Sequence, residues 1–370
     1  MAALELAGCG HVRAPGLPAP PDVGTLRVVG ARHGILAGCA VQVQHLRDDA
    51  AYALLVGQQA GIIVDESALK MGPLRPAPTE YFFDNADFLF AFAKKHKMKV
   101  RGHNFVWHEQ MPKWFDSYVT AANAERVLVE HIERVGGRYA GRVHSWDVVN
   151  EAIEIKDGLK GGFRNSPWQK LLPGHDSEVP GYIEIAFRTA RRVDPKAMLV
   201  YNDYGIEAED EASAKKRAAV LALLRAMQAR GIPVDALGIQ SHLVAGSRQA
   251  FSPEYAYGAG LQGMIREARG MGLKVLLTEM DVSDRKLPAP VTERDAAVAA
   301  TYGGYLREAL ADEAVIALLT WGITNKYTWL DYGYQQREDK LQQRCLPFDA
   351  EMQATPVFFA MRQAIEGRQS

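Results

Sequence analysis

Trp146-Asp147-Val148-Val149-Asn150-Glu151 is a short apolar run that closes on an amide and a carboxylate. Such a run reads as a strand buried on both faces, as in parallel sheets, with its polar end facing something other than the core. The pattern recurs, and candidate strands cover 35–41, 61–66, 99–106, 143–151, 197–203, 237–242, 274–281 and 315–323. Stretches of helical period alternate with them over 46–58, 84–97, 122–139, 183–193, 212–230, 253–271 and 293–310, with a last one over 355–365. About eight strand–helix units in strict alternation predict an α/β fold, a single (β/α)8 TIM barrel over residues 25–370. Polar residues collect where the strands end: Glu66, His103, Trp107, Asn150, Glu151, Asn202, Asp203, Gln240, His242, Glu279, Asp281 and Trp321. In a barrel these positions converge on the C-terminal rim, where active sites of this fold lie.

Composition narrows the function classes. The chain has 370 residues, 48% hydrophobic and 24% charged, which excludes wholesale disorder. Its 43 Lys and Arg against 44 Asp and Glu give no general attraction for nucleic acid or anionic lipid. Cys9, Cys39 and Cys345 are too far apart in sequence for a zinc cluster or redox pair. No apolar run reaches the roughly 18 residues of a membrane helix. Leu6-Ala7-Gly8-Cys9 resembles a lipobox, although Glu5 breaks the apolar stretch before it. Residues 1–24, rich in Pro, Gly and Ala, are expected to be a flexible segment or the remnant of an export signal.

The chemistry lies in two glutamates. Glu151 ends the fourth candidate strand, and Glu279 lies on the seventh in Leu276-Leu277-Thr278-Glu279-Met280-Asp281. Two carboxylates at one end of a barrel suit a glycosidase, one protonating the leaving oxygen while the other attacks the anomeric carbon. Trp107, Trp321 and Trp329 are candidate platforms for flat sugar faces. A metal-dependent hydrolase would need a ligand set from His103, His108, His144 and His242, but the H-x-H pair common after the first strand is missing, so neither metal nor cofactor is expected. A catalytically silent sugar-binding module would be favoured by loss of a glutamate, and both are present.

Several segments together resemble glycoside hydrolase family 10, the retaining endo-β-1,4-xylanases. Arg101-Gly102-His103-Asn104-Phe105-Val106-Trp107-His108 resembles the family's R-G-H-T-L-V-W-H, and Trp146 to Ala152 matches W-D-V-V-N-E-A in full. Tyr201-Asn202-Asp203-Tyr204, Gly238-Ile239-Gln240-Ser241-His242, Thr278-Glu279-Met280-Asp281-Val282 and the stretch from Trp321 to Trp329 follow in family order. The resemblance implies endo-hydrolysis of xylan or xylo-oligosaccharides by double displacement through a covalent glycosyl-enzyme. The same chemistry on β-1,4-glucan or mixed-linkage glucan is the alternative. It implies Glu151 as acid/base, Glu279 as nucleophile, His242 bonded to Glu279 and oriented by Asp281, and Asn150 on the sugar 2-hydroxyl. Glu66, Lys70, His103, Trp107 and Gln240 would line the glycone side, with Trp321 and Trp329 walling the cleft. Ser67, His108, Asn202 and Tyr204 complete the expected substrate-binding set. A monomer without membrane contact by the catalytic domain is expected, secreted or periplasmic, with a lipid-anchored cell-surface form if Cys9 is the acylated residue of a truncated signal.

Three departures stand out. Ser67 takes the place of an asparagine the family uses on the second glycone sugar, Gly205 replaces another beside Tyr204, and the polar stretch 331–344 has no counterpart in the family pattern. These bear on subsites and leave the reaction type untouched. The two carboxyl groups are expected to lie roughly 5–5.5 Å apart, the retaining spacing, with the Glu279 charge raising the pKa of Glu151.

Overall fold

A computed structural model describes residues 24–174, 178–246 and 256–368. The strands are β1 (Leu36–Val41), β2 (Ile62–Asp65), β3 (Lys99–Val106), β4 (Ser145–Asn150), β5 (Met198–Asp203), β6 (Ala236–Ile239), β7 (His242–Val244), β8 (Lys274–Ser283) and β9 (Val315–Thr320). All pair in parallel, from β6 through β5, β4, β3, β2, β1 and β9 to β8, and the β6–β8 pairing closes the ring. Segments β6 and β7 are two halves of one stave, so the closed sheet is an eight-stranded (β/α)8 TIM barrel. The reading of 237–242 as one strand is corrected here. Ser241 takes a left-handed backbone (φ 62°), its N–H donating to Glu207 Oε1 (2.9 Å) while its hydroxyl meets Tyr305 Oη (2.7 Å), and these side-chain anchors pull the chain out of the sheet.

Strand periodicity splits the core in two. Ala40, Ile62, Val64, Val200, Ala236, Leu276, Ala317 and Leu319 fill the lumen, capped by Trp321. Their neighbours Cys39, Val41, Ile63, Leu237, Leu277 and Leu318 point outward under the helices. The lumen is tight enough to require glycine at Gly38, where a Cβ would sit 1.9 Å from the Ile62 carbonyl oxygen. Cys39 and Cys345 are free and buried, while Cys9 lies outside the described residues.

Most helices follow their sequence patterns within a few residues. The stretch 46–58 is instead two helices, Val43–Asp48 and Ala50–Gln59, because the Asp49 carboxylate accepts from the backbone of Ala51 and Tyr52 (both 3.0 Å) and starts a new helix. Helix Leu26–Arg32 was not foreseen, since only Leu26, Val29 and Gly30 are buried over its two turns. Of the expected 253–271 helix, Ala259–Gly270 is observed, and 253–255 lie outside the described residues. No helix among the described residues is long and apolar enough to cross a membrane.

Candidate active site

Glu151 leaves β4 through a left-handed turn (φ 60°), where its N–H donates to the Asn202 carbonyl (2.8 Å) and its carbonyl accepts from Arg164 Nε (2.8 Å). This pinning turns the side chain into the cleft. Its Oε1 accepts from Asn150 Nδ2 (3.0 Å) and Gln240 Nε2 (2.9 Å), and its Oε2 accepts from Trp107 Nε1 (2.8 Å). All three donors are neutral. Burial pushes the Glu151 carboxyl up, with help from the charge of Asp203 and then of Glu279, against the bonds from Gln240 and Trp107. The Glu279 charge does raise it, as expected, but exclusion of water is the larger effect.

Glu279, inside the long strand β8, sits among cations. Its Oε1 accepts from Asn202 Nδ2 (2.7 Å) and lies 3.4 Å from Arg101 Nη2, and its Oε2 lies 3.5 Å from His242 Nε2. Asp281 Oδ1 holds His242 Nδ1 (2.9 Å), and Trp329 Nε1 donates to Asp281 Oδ2 (2.7 Å). Burial works against the His242 charge, yet the charge and hydrogen bond of Asp281 and those of Glu279 raise its pKa well above the usual histidine range. Burial likewise opposes the Glu279 charge, but the His242 bond and the Arg101 and His242 charges hold its carboxyl well below the ordinary carboxylate range. On the same rim, burial thus pushes one carboxyl up while neighbouring cations hold the other down.

Two asparagines connect them. Asn202 Nδ2 donates to Glu279 and to Asn150 Oδ1 (2.8 Å), and Asn150 Nδ2 donates to Glu151. Asn202 Oδ1 accepts from Thr278 Oγ1 (2.7 Å), which uses up its amide, and it presses so closely on β6 that a Cβ at Gly238 would lie 2.2 Å from that oxygen. Asn202 is thus beneath the cleft, a correction to its expected place on the sugar-binding surface. His108 is also set back: its Nδ1 is 3.8 Å from Glu151 Oε2 without a hydrogen bond, and burial, then the Arg164 charge, lowers its pKa to about 4.

The other expected residues line one cleft of ≈ 530 Å³: Glu66, Ser67, Lys70, His103, Trp107, Asn150, Glu151, Tyr204, Gln240, His242, Glu279, Asp281, Trp321 and Trp329. Hollows of ≈ 800 and ≈ 830 Å³ along helix Val291–Ala309 are larger but include none of the strand-end carboxylates, so chemistry rather than size selects the site. Lys70 is buried with its ammonium 4.4 Å from the Trp107 ring centre and 5.9 Å from that of Trp321, where burial lowers its pKa against the pull of Glu279, Glu66 and Glu151. Burial raises the Glu66 carboxyl to about 7 despite the bond from Gln42 Nε2 (2.9 Å).

The sequence reading missed Arg101 and Asp147 as a buried pair behind Glu279. Arg101 Nη2 is ion-paired with Asp147 Oδ2, its Nε donates to Asp147 Oδ1 (3.2 Å), and its Nη1 donates to the Thr278 carbonyl (3.1 Å). Both are charges inside apolar strands, the same signal that exposed the glutamates. His103, Asp147 and Glu279 bring ligand-type atoms within 4.8 Å of one another, but Arg101 already supplies the cation between Asp147 and Glu279. Arg285, Tyr334 and Gln335 also reach the cleft; Tyr334 and Gln335 lie in the departing stretch 331–344, whereas nothing in its local sequence marks Arg285.

With this geometry in hand, the family model described as "Glycosyl hydrolase family 10" matches residues 25–364. The chain belongs to glycosyl hydrolase family 10. Within the family it is 30% identical over 347 residues to "Endo-1,4-beta-xylanase B" of Thermotoga neapolitana, covering 92% of this chain and 91% of that protein. It is 31% identical over 345 residues to "Endo-1,4-beta-xylanase C" of Paenibacillus barcinonensis, where the match takes in 88% of this chain but only 30% of the longer relative. Among solved structures, xylanase 10B from Thermotoga petrophila in complex with xylobiose superposes with a TM-score of 0.79 at 29% identity, over 92% of this family 10 chain and 97% of the other.

Proposed function

We propose that this family 10 hydrolase is a retaining endo-β-1,4-xylanase, with residues 25–370 as its catalytic domain. The observation that carries the mechanism is the opposite charge preference of Glu151 and Glu279, two carboxyls on one rim joined through Asn150 and Asn202. In this reading the ionised Glu279 attacks the anomeric carbon while the protonated Glu151 delivers its proton to the leaving oxygen. Water then hydrolyses the glycosyl-enzyme as Glu151, now the base, takes a proton back. His242, fixed by Asp281, keeps Glu279 ionised. Asn150 meets the sugar 2-hydroxyl, where its amide strengthens binding as positive charge grows on the ring. Asn202 is a positioning residue that holds both Asn150 and Glu279 and never touches sugar. Glu66, Ser67, Lys70, His103, Trp107, Gln240, Trp321 and Trp329 form the glycone side and walls of the cleft, with Tyr204 further along.

Xylan as substrate rests on the named activity of the relatives and on the xylobiose held by the similar structure. The reading includes export, tested by assaying culture medium, periplasm and cytoplasm separately. The deciding experiment follows the first product anomer by proton NMR during cleavage of xylohexaose. A β-anomer formed first supports retention, and an initial α-anomer overturns it. Faster turnover of cello-oligosaccharides than of xylo-oligosaccharides would move the assignment to the glucan alternative.

A further inference from the structure

The wall beyond Trp329 is built where the loop after β8 meets the stretch 331–344, and both are tied to one fully buried carboxylate. Asp284 faces two guanidinium groups, Arg294 Nη1 at 2.9 Å from Oδ2 and Arg337 Nη1 at 3.3 Å from Oδ1. Arg294 also donates to the Gln342 carbonyl (2.8 Å), and Arg337 Nη2 to the Leu287 carbonyl (2.9 Å). Gln343, fully buried as well, accepts from Ser283 Oγ (2.6 Å) and donates to the carbonyls of Leu330 and Gln335. A buried polar network satisfied on this many sides holds its members in one arrangement. The stretch with no counterpart in the family pattern is therefore a rigid wall.

That wall presents an unusual surface to the cleft. Tyr334 is 83% exposed, although a tyrosine ring is among the side chains with most to gain from burial. Beside it Gln335 accepts a hydrogen bond from Arg285 Nη1, and Arg285 itself lines the cleft. The other arginines of this corner each have a carboxylate. Arg294 and Arg337 share Asp284, Arg337 also pairs with Asp339, and Arg344 pairs with Asp295. Among the described residues no carboxylate lies within ion-pair distance of Arg285, whose partner is the neutral amide of Gln335. A guanidinium carries five donors in a planar fork matched to a carboxylate, and most of this one is unspent.

We propose that Arg285, Gln335 and Tyr334 form an accessory subsite for an acidic branch on the polysaccharide, a hexuronosyl substituent whose carboxylate docks on Arg285 while its ring lies against Tyr334. The subsite rests on the xylanase reading above and adds to it a preference for anionic decoration.

The test compares kcat/KM on three xylo-oligosaccharides of equal backbone length: unbranched, arabinosyl-branched and glucuronosyl-branched. The wild-type enzyme is expected to prefer the acidic branch to the neutral one. Arg285→Gln should lower the ratio of acid-branched to unbranched kcat/KM roughly 5–30-fold, mainly through KM, as expected for loss of charge-assisted hydrogen bonds at a half-exposed site. Arg285→Lys should recover part of that loss, and raising salt to about 0.5 M should imitate it on the acidic substrate alone. Tyr334→Ala should weaken both branched substrates relative to the unbranched chain. An unchanged melting temperature for each variant shows that the wall still folds. Equal preference of the wild type for acidic and neutral branches, or an Arg285→Gln variant that leaves the ratio unmoved, overturns the subsite. If the wild type fails to cleave even the unbranched chain, the xylanase reading falls and takes the subsite with it.

Discussion

Glu151 and Glu279 are the same residue type on the same rim, and their surroundings drive them in opposite directions. Around Glu151 the donors are an indole and two amides, all neutral, and burial wins. Around Glu279 a guanidinium and a charged imidazole outweigh burial of similar completeness. Depth alone does not set the direction in which each carboxyl is pushed; the charge of the neighbours does.

The sharpest break in that contrast is removal of each carboxylate with an external nucleophile as probe. Glu279→Ala should lose on the order of 10⁵-fold in kcat, and added azide should yield the α-glycosyl azide, because azide replaces the nucleophile on its own face. Glu151→Ala with azide should yield the β-product instead. The same anomer from both variants would erase the assigned difference.

Next in size is Glu151→Gln, which should cost about 10²–10⁴-fold on xylo-oligosaccharides but little on aryl xylosides with good leaving groups, which hardly need the proton. Equal losses on both substrates would count against Glu151 as the acid.

The contrast also sets the pH profile. A depressed Glu279 pKa places the acid limb of kcat/KM below the ordinary carboxylate range, since activity appears as that group ionises. A raised Glu151 pKa places the alkaline limb above that range, since activity disappears as its proton leaves. His242→Asn removes a hydrogen bond and a positive charge from Glu279, so the acid limb should move to higher pH while the alkaline limb moves less. Movement of the alkaline limb alone would place His242 with the other carboxyl.

The smallest expected effect lies elsewhere in the cleft. Ser67 is exposed in the cleft, its N–H bonded to Asp65 Oδ1 (2.8 Å) and its side chain short of the asparagine it replaces. Ser67→Asn should raise kcat/KM on unbranched xylo-oligosaccharides about two- to tenfold, the worth of one neutral hydrogen bond, while lowering or leaving flat the values on cellobiosides and branched chains. A uniform shift across these substrates would remove Ser67 as a specificity determinant.

The barrel was legible because its signals are local. Apolar runs closing on polar residues mark strand ends, and the closed ring puts those ends on one rim whatever the loops do. The same logic led to most of the cleft. It failed for Asn202, whose strand-end position was right but whose amide is spent beneath the floor, and for His108, turned aside from the cleft. It was silent on Arg285, which stands in loop sequence with no periodicity to read, and marked the stretch around Tyr334 only as a departure.

From the sequence alone follow the strand order, the rim and the two glutamates, because each is written in stretches of about ten residues with a period set by backbone geometry. Only the tertiary structure shows which surroundings push each carboxyl up or down and what the 331–344 wall displays. The donors that settle those questions come from far along the chain, Gln240 reaching Glu151 across 89 residues, Arg101 reaching Glu279 across 178 and Arg285 reaching Gln335 across 50. Electrostatic interaction depends on distance in space and on excluded water, and neither is encoded in the neighbourhood of any one residue.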